Sequence, residues 1–536
     1  MKESILCLLQ DSVKKYPDKI AFADQSRQIT YREFWTEARK AGTFLAETHA
    51  KGLRNRPIAV IIDRNIDTLI AFFGIVFSGN FYASISMDLP EDRRNTIFKE
   101  LDPLCIIDAR NKGKVLEGTI SLKGIISTAH IDDSLLDFIQ SNSIDTDPLY
   151  TLFTSGSTGT PKGVLISHRS VLDLTDAFQD AFNFDSKCIF GNQAPFDFDV
   201  SVKDIYNSIY AGGTMHILPK KFFVMPKLLI EYLSLNKINT LIWAVSAVRI
   251  LADIKAFNDS EYDIPLRYLM FSGEVMPVHV FNYWFENFPD AKFVNLYGPT
   301  EITCNCTYYT AARKFSDEEI IPIGKAFKNT RVFLLNDDNE IITKPNVSGE
   351  LCVEGTGLAL GYWNMPEKTA SSFPQNPFLT EFGNRIYKTG DLAYFNDSME
   401  LCYSSRKDFQ IKHFGHRIEL QEIERTANTS PEINISCCVY DKENEHIILC
   451  FQGTADKKGI LKHLSTRLPK YMLPHEFVYI SHMPLTPHGK IDRKKLLNIA
   501  LGKEKLNESD KTNIPDGLFR SSISMCVTAS ENLSRP

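Results

Sequence analysis

The sequence predicts a mixed α/β protein: a large amino-terminal domain of layered sheets and helices, followed by a small α+β carboxy-terminal domain. Three observations predict it. Short apolar runs alternate with amphipathic stretches from residue 1 to about 400. The glycine-punctuated, β-rich segment 346–365 closes that alternation, and a smaller set of elements starts near Arg406. A chain of 536 residues also exceeds what one hydrophobic core usually supports.

The elements follow in order. The first residues, up to Asp11, hold a short apolar run soon interrupted by acids and lysines, so they read as an amphipathic surface helix and not as a signal peptide. The runs Pro57-Ile-Ala-Val-Ile-Ile, Leu104-Cys-Ile-Ile and Thr240-Leu-Ile-Trp-Ala-Val read as buried strands beside helical pattern, and residues 149–153 as another. Val202, Ile205, Tyr206, Ile209 and Tyr210 keep a helical spacing that Gly212 and Gly213 end. The small domain should hold a strand pair around 409–418, a helix from Glu419, strands at 433–440 and 446–451, and a helix from Lys457. Residues 507–536 are rich in Ser, Asn and Asp and offer little to bury, the composition of a disordered tail. The expected boundaries are therefore 1–406, 407–500 and 501–536.

Bulk properties exclude several functions. A net charge of −6 gives no electrostatic footprint for nucleic acid or an anionic membrane. No uncharged run is long enough to span a bilayer. The 11 cysteines form no CxxC pair, which fits reduced thiols in a cytoplasmic protein and gives no indication of zinc.

The most informative segment is Thr154-Ser-Gly-Ser-Thr-Gly-Thr-Pro-Lys-Gly163, directly after a predicted strand. Its glycines let backbone amides approach an anion, its hydroxyls donate, and Lys162 supplies charge, the makings of a polyphosphate cradle. A Walker A loop needs Gly before its Lys and Ser/Thr after it, whereas here Pro161 precedes Lys162 and Gly163 follows. The plainer reading is a flexible Gly/Ser turn. Fixing nine of ten positions by chance has a probability on the order of 10⁻¹¹, which disposes of it.

This loop resembles that of the adenylate-forming (AMP-binding) superfamily, which holds acyl-CoA synthetases, luciferases and the adenylation domains of nonribosomal peptide synthetases. The resemblance covers about residues 1–500 and implies ATP and Mg²⁺. Thr154, Ser155, Gly156, Ser157, Thr158, Gly159 and Lys162 would cradle the phosphates. The segment Asn295, Leu296, Tyr297, Gly298, Pro299, Thr300 and Glu301 resembles the adenine and α-phosphate segment. By that resemblance Asn295 and Tyr297 hold the adenine, Thr300 the α-phosphate, and Glu301 the metal. Asp391 would bind the ribose hydroxyls, with Tyr403 also at the nucleotide and Arg406 near ribose and phosphate. Asp408 would be the hinge about which a mobile small domain rotates, and Lys490 the catalytic lysine bridging carboxylate and α-phosphate oxygens. Gly415 and its neighbours would lie on the face brought forward for thiol attack.

The stretch 196–210 bears on the substrate. Asp199 stands just before the predicted helix, and it, or Ser201 with Asp204 as a capping box, could simply cap it. The Phe-Asp-x-Ser-Val form closely resembles amino-acid-activating members, in which this aspartate binds the α-ammonium. The whole stretch is similar to that of D-alanine–carrier protein ligases. Ser272 stands where those enzymes carry cysteine, Lys203 where an apolar residue is usual, and Cys304 would also line the pocket. Asp199 and Lys203 are i,i+4, so Lys203 either forms an intrahelical ion pair or enters the pocket and favours an acidic or polar side chain.

The implied protein is a monomeric, cytoplasmic ligase for a small amino acid. Because no carrier domain follows residue 500, its acceptor would be an acyl carrier protein with a phosphopantetheine arm, supplied in trans. The alternatives are an acyl- or aryl-CoA ligase and a nucleotide-binding scaffold without turnover.

Overall fold

Apolar runs with no polar face require burial on both sides, and here they become the inner strands of two large sheets. The structure, a computed structural model, describes residues 2–111, 113–156, 161–258, 262–486 and 491–504. Ser157, Thr158, Gly159 and Lys490, and residues 505–536 of the expected tail, lie outside the described residues. The chain divides into two compact units. One comprises residues 1–87, 98–154 and 162–408; the other comprises the described residues of 88–97, 155–161 and 409 onward.

In the first unit, the seven-stranded sheet has the order Gly361–Tyr362, Lys162–Ser167, Pro148–Thr154, Phe81–Ser86, Pro57–Ile62, Ile106–Asp108, Ile120–Ser121. All six side chains of Pro57–Ile62 are buried, as an uninterrupted apolar run demands. The nine-stranded sheet runs Lys325–Ala326, Thr307–Ala311, Lys292–Tyr297, Tyr268–Ser272, Thr240–Ala244, Ile189–Asn192, Thr214–Ile217, Ile20–Ala23, Gln28–Thr30. Tyr268–Ser272 pairs in parallel with both Thr240–Ala244 and Lys292–Tyr297, so the carboxyl ends of all three point the same way. A third sheet, of four antiparallel strands, ends with Tyr387–Phe395 and Leu401–Arg406.

The helix Val200–Ala211 is held against the first unit's core by tyrosines. Tyr206 Oη and Tyr82 Oη are 2.9 Å apart. Tyr31 Oη reaches the carbonyls of Ser208 and Gly213, at 3.1 and 2.8 Å. The first helix, Leu6–Lys15, buries Leu6, Leu8 and Leu9 and leaves its lysines outward, the amphipathic pattern its sequence carries.

The second unit is α+β. Hairpin strands Gln410–His413 and His416–Glu419 lead into the helix Leu420–Asn428. Strands Ile433–Asp441, His446–Gly453 and Glu476–Tyr479 form a three-stranded sheet packed against the helices Leu420–Asn428 and Arg493–Ala500. Arg93 and Glu422 form an ion pair inside this unit, both nearly inaccessible. Among the described residues, no helix is long and apolar enough to cross a membrane.

Candidate active site

The strands Pro148–Thr154 and Lys162–Ser167, which flank the glycine-rich segment in sequence, pair antiparallel. Thr154 and Lys162 are cross-strand partners, and Lys162 opens a strand. A Walker A lysine opens a helix, so the backbone itself sets this loop apart from that motif. Among the described residues the buried Thr154 hydroxyl has no hydrogen-bond partner, and a phosphate oxygen would satisfy it. Ser155 Oγ donates to the Arg417 carbonyl at 2.9 Å within the second unit.

Lys162 does not extend into open space. Its Nζ donates to Glu301 Oε1 at 3.0 Å and lies 3.2 Å from Tyr362 Oη, which itself donates to Glu301 Oε1 at 2.9 Å. All three side chains are buried, Glu301 completely. The expected phosphate lysine and the expected metal ligand are thus one charge-neutral cluster with Tyr362. Tyr362 carries no sequence mark of this role. It falls in the glycine-punctuated segment, where a tyrosine reads as an ordinary strand residue.

Glu301 is set in a 3₁₀ turn, Thr300–Ile302, that follows the strand Lys292–Tyr297. Gly298 is required in this turn. A Cβ there would lie 2.6 Å from Asn305 Cα and 2.7 Å from the Cys304 carbonyl oxygen, both backbone atoms that cannot swing aside. The chain then passes through two left-handed residues, Thr303 (φ 58°) and Cys304 (φ 77°), a conformation that side-chain-bearing residues seldom adopt. The Asn295 amide donates to the Pro322 carbonyl at 2.9 Å. Leu296 is buried, whereas Gly298, Pro299 and Thr300 are partly accessible.

Asp391 and Arg406 face each other across adjacent antiparallel strands, and Arg406 Nη1 donates to Asp391 Oδ1 at 2.7 Å. The same guanidinium grips Asp408 in a fork, 2.6 Å to Oδ1 and 2.7 Å to Oδ2. Gly390 makes room for it, since a Cβ there would lie 2.8 Å from Arg406 Nη2. Tyr297 Oη donates to Asp391 Oδ2 at 2.5 Å. Burial and then the neighbouring Asp391 push the Tyr297 phenol well above its ordinary range. Tyr403 stands beside it, ring centroids 6.5 Å apart, and is raised for the same reasons. Asp391, Tyr297, Tyr403, Arg406 and Asp408, drawn from three sequence segments, are therefore one connected group.

At the start of the helix Val200–Ala211, Asp199 makes no side-chain capping bond. The capping box is not formed either: Ser201 Oγ donates to the Phe198 carbonyl, and Asp204 Oδ2 accepts from Asn192 at 2.9 Å. Asp204 is fully buried, which pushes its carboxyl up to about 7. Lys203 is also fully buried, and its Nζ donates to Ser272 Oγ at 2.9 Å, at the carboxyl end of the strand Tyr268–Ser272. Cys304 lies within electrostatic reach of both Lys203 and Asp199, and burial pushes its thiol up. Asp199, Lys203, Ser272 and Cys304 thus converge from a helix, a strand end and a strained turn. Arg64, unremarked in the sequence, braces this wall through the carbonyls of Asn192, Gln193 and Leu218.

A family model described as AMP-binding enzyme matches residues 9–363. The chain belongs to that family. This AMP-binding enzyme is 31% identical over 504 residues to the D-alanine–D-alanyl carrier protein ligase of Bacillus cytotoxicus, covering 90% of this chain and 96% of the ligase. It is 29% identical over 506 residues to tyrocidine synthase 1 of Brevibacillus parabrevis, 92% of this chain but only 45% of that synthase. Among solved structures it resembles the Vibrio cholerae adenylation domain AlmE in complex with glycyl-adenosine-5'-phosphate. The TM-score is 0.79 at 19% identity, over 94% of this chain and 98% of that one, a likeness of fold.

Proposed function

We propose that this AMP-binding enzyme is an ATP-dependent, AMP-forming ligase that activates an amino acid and passes it to the phosphopantetheine thiol of a carrier protein supplied in trans. The observation that carries this reading is the grouping of Asp199, Lys203 and Ser272 around the buried Cys304, in a chain similar to a carrier protein ligase over 96% of that ligase's length.

In this reading, Asp199 receives the substrate's α-ammonium and thereby orients its carboxylate. The carboxylate attacks the α-phosphorus of ATP, an acyl–phosphate bond forms, and pyrophosphate leaves. The protein contributes positioning and charge compensation, not covalent chemistry. Asp391, already aligned by Tyr297 and Arg406, binds the ribose hydroxyls. Asn295, Leu296, Gly298, Pro299 and Tyr403 line the adenine and ribose, and Thr154 and Thr300 donate hydroxyls to phosphate. Lys490 bridges carboxylate and phosphate oxygens in the transition state.

The donor set fits Mg²⁺. Among the described residues, no group of three or more His, Cys, Asp or Glu side chains forms a self-sufficient metal site. Mg²⁺ is usually held by one or two carboxylates together with substrate phosphates, and Glu301 is such a carboxylate. When bound, the ion would offset the phosphate charge. Lys162 and Tyr362 keep the Glu301 carboxylate oriented and its charge balanced.

In the second half-reaction the carrier thiolate attacks the acyl carbon and AMP leaves. Asp408 serves as the pivot between an adenylating unit, residues 1–406, and the smaller unit that follows. Loading of a phosphopantetheinylated carrier protein, measured as thioester formation, tests this acceptor. The expectation is transfer to the carrier and little to free coenzyme A. Efficient transfer to free coenzyme A alone would favour the acyl-CoA ligase reading.

A further inference from the structure

Lys203 holds a position at which the chemistry proposed so far asks for no cation. The phosphates have Lys162 and Lys490 among their candidate partners, and the α-ammonium needs an anion. Yet Lys203 is fully buried. An ammonium has three N–H donors. Among the described hydrogen bonds its Nζ spends one on Ser272 Oγ, and Cys304 beside it offers only a weak sulfur acceptor. A buried charge this poorly paired is costly unless a further acceptor arrives.

None of the described hydrogen bonds of Lys203 Nζ reaches a carboxylate. Asp204, the next residue, accepts from Asn192 through Oδ2, and burial pushes its carboxyl up to about 7, which disfavours its charged form. Arg64 also lies within electrostatic reach of Asp204. A second observation points to the same place. Among the described residues Tyr150 Oη is buried without a hydrogen-bond partner, and Asp199, Cys304 and Tyr206 lie within its electrostatic reach. A buried ammonium, bonded to one hydroxyl, and a second buried hydroxyl therefore share the surroundings of Asp199 and Cys304.

We propose that the substrate is an amino acid with a carboxylate on its side chain, which Lys203 receives, with Ser272 and Tyr150 as neighbouring hydroxyl donors. Asp199 and Lys203 stand one helical turn apart, roughly 6 Å between Cβ atoms. That spacing suits a short acidic amino acid whose ammonium and side-chain carboxylate are a few bonds apart. Lys203 is then the residue that sets specificity, and the inference rests on the amino-acid reading above.

The test is ATP–pyrophosphate exchange by the full chain with D- and L-aspartate and glutamate, their amide counterparts asparagine and glutamine, alanine, glycine, and acids lacking an amine. An acidic amino acid should exceed its own amide by about tenfold to a hundredfold, the worth of a hydrogen bond to a charged group. In Lys203→Met that ratio should fall to about one or below. Best exchange with alanine, glycine or an amide overturns the side-chain inference and leaves amino-acid activation standing. Exchange confined to acids without an amine overturns both. If Lys203→Met does not fold, the wild-type panel decides alone, and Ser272→Ala, a smaller change, should lower the acidic-to-amide ratio severalfold.

Discussion

Replacing Lys162 by methionine keeps most of the side-chain volume and removes the charge that balances Glu301. In the native arrangement Lys162 Nζ is 3.0 Å from Glu301 Oε1, and Glu301 has no solvent exposure. Removing one partner of a buried pair typically costs about 3–5 kcal/mol, because the other charge is left uncompensated. At about 2 cal/mol/K of unfolding entropy per residue, a unit of this size should melt about 4–6 °C lower. The double variant Lys162→Met with Glu301→Gln removes the stranded charge, and should recover more than half of that loss while remaining inactive. Differential scanning calorimetry on the three proteins is the assay. A Lys162→Met protein that melts with the wild type, or a double variant no more stable than the single, would refute the claim that Lys162 and Glu301 are a coupled buried pair.

Other outcomes follow from the same geometry. Asp199→Asn should reduce amino-acid-dependent exchange by about tenfold to a hundredfold, since it replaces a charged partner of the ammonium with a neutral one. Any exchange seen with acids lacking an amine should be unaffected, and an equal fall for both would assign Asp199 a structural part. His168 is fully buried, and its Nδ1 accepts from the Ile5 amide at 3.3 Å. Burial holds its imidazole down to about 4, against an ordinary value near 6.5. The unfolded chain therefore takes up a proton first, so the contribution of His168 is complete above pH 6.5 and is lost as pH falls from there toward 4. The melting-temperature advantage of wild type over His168→Gln should be constant above about pH 7 and shrink at pH 5; an advantage that grows on acidification would contradict it.

The sheets were legible where burial alone dictates sequence. Pro57–Ile62 and Leu241–Ala244 are short, wholly buried apolar runs, and their shortness favours strands over helices. The strand Lys162–Ser167 was not legible, because its first residues also belong to a glycine-rich anion loop and its pairing is set by the preceding strand. Among the site residues, motif order brought out Asp391, Arg406 and Glu301, yet no motif shows that Tyr297 and Arg406 flank Asp391 or that Tyr362 holds Glu301. Those contacts depend on registers across strands far apart in sequence. Helical spacing placed Asp199 and Lys203 on one face but could not choose between an intrahelical pair and a pocket. That choice depends on the strand Tyr268–Ser272, some 70 residues away. Residues 88–97 offered still less: the partner of Arg93 within its unit is Glu422, 329 positions along the chain.

Amino-acid adenylation is tested most directly by amino-acid-dependent exchange of labelled pyrophosphate into ATP, measured on the full chain and on Lys490→Ala. The account predicts exchange with at least one amino acid, a drop of several orders of magnitude in Lys490→Ala, and a requirement for Mg²⁺. Absence of exchange with every amino acid, or equal exchange by wild type and Lys490→Ala, would contradict it.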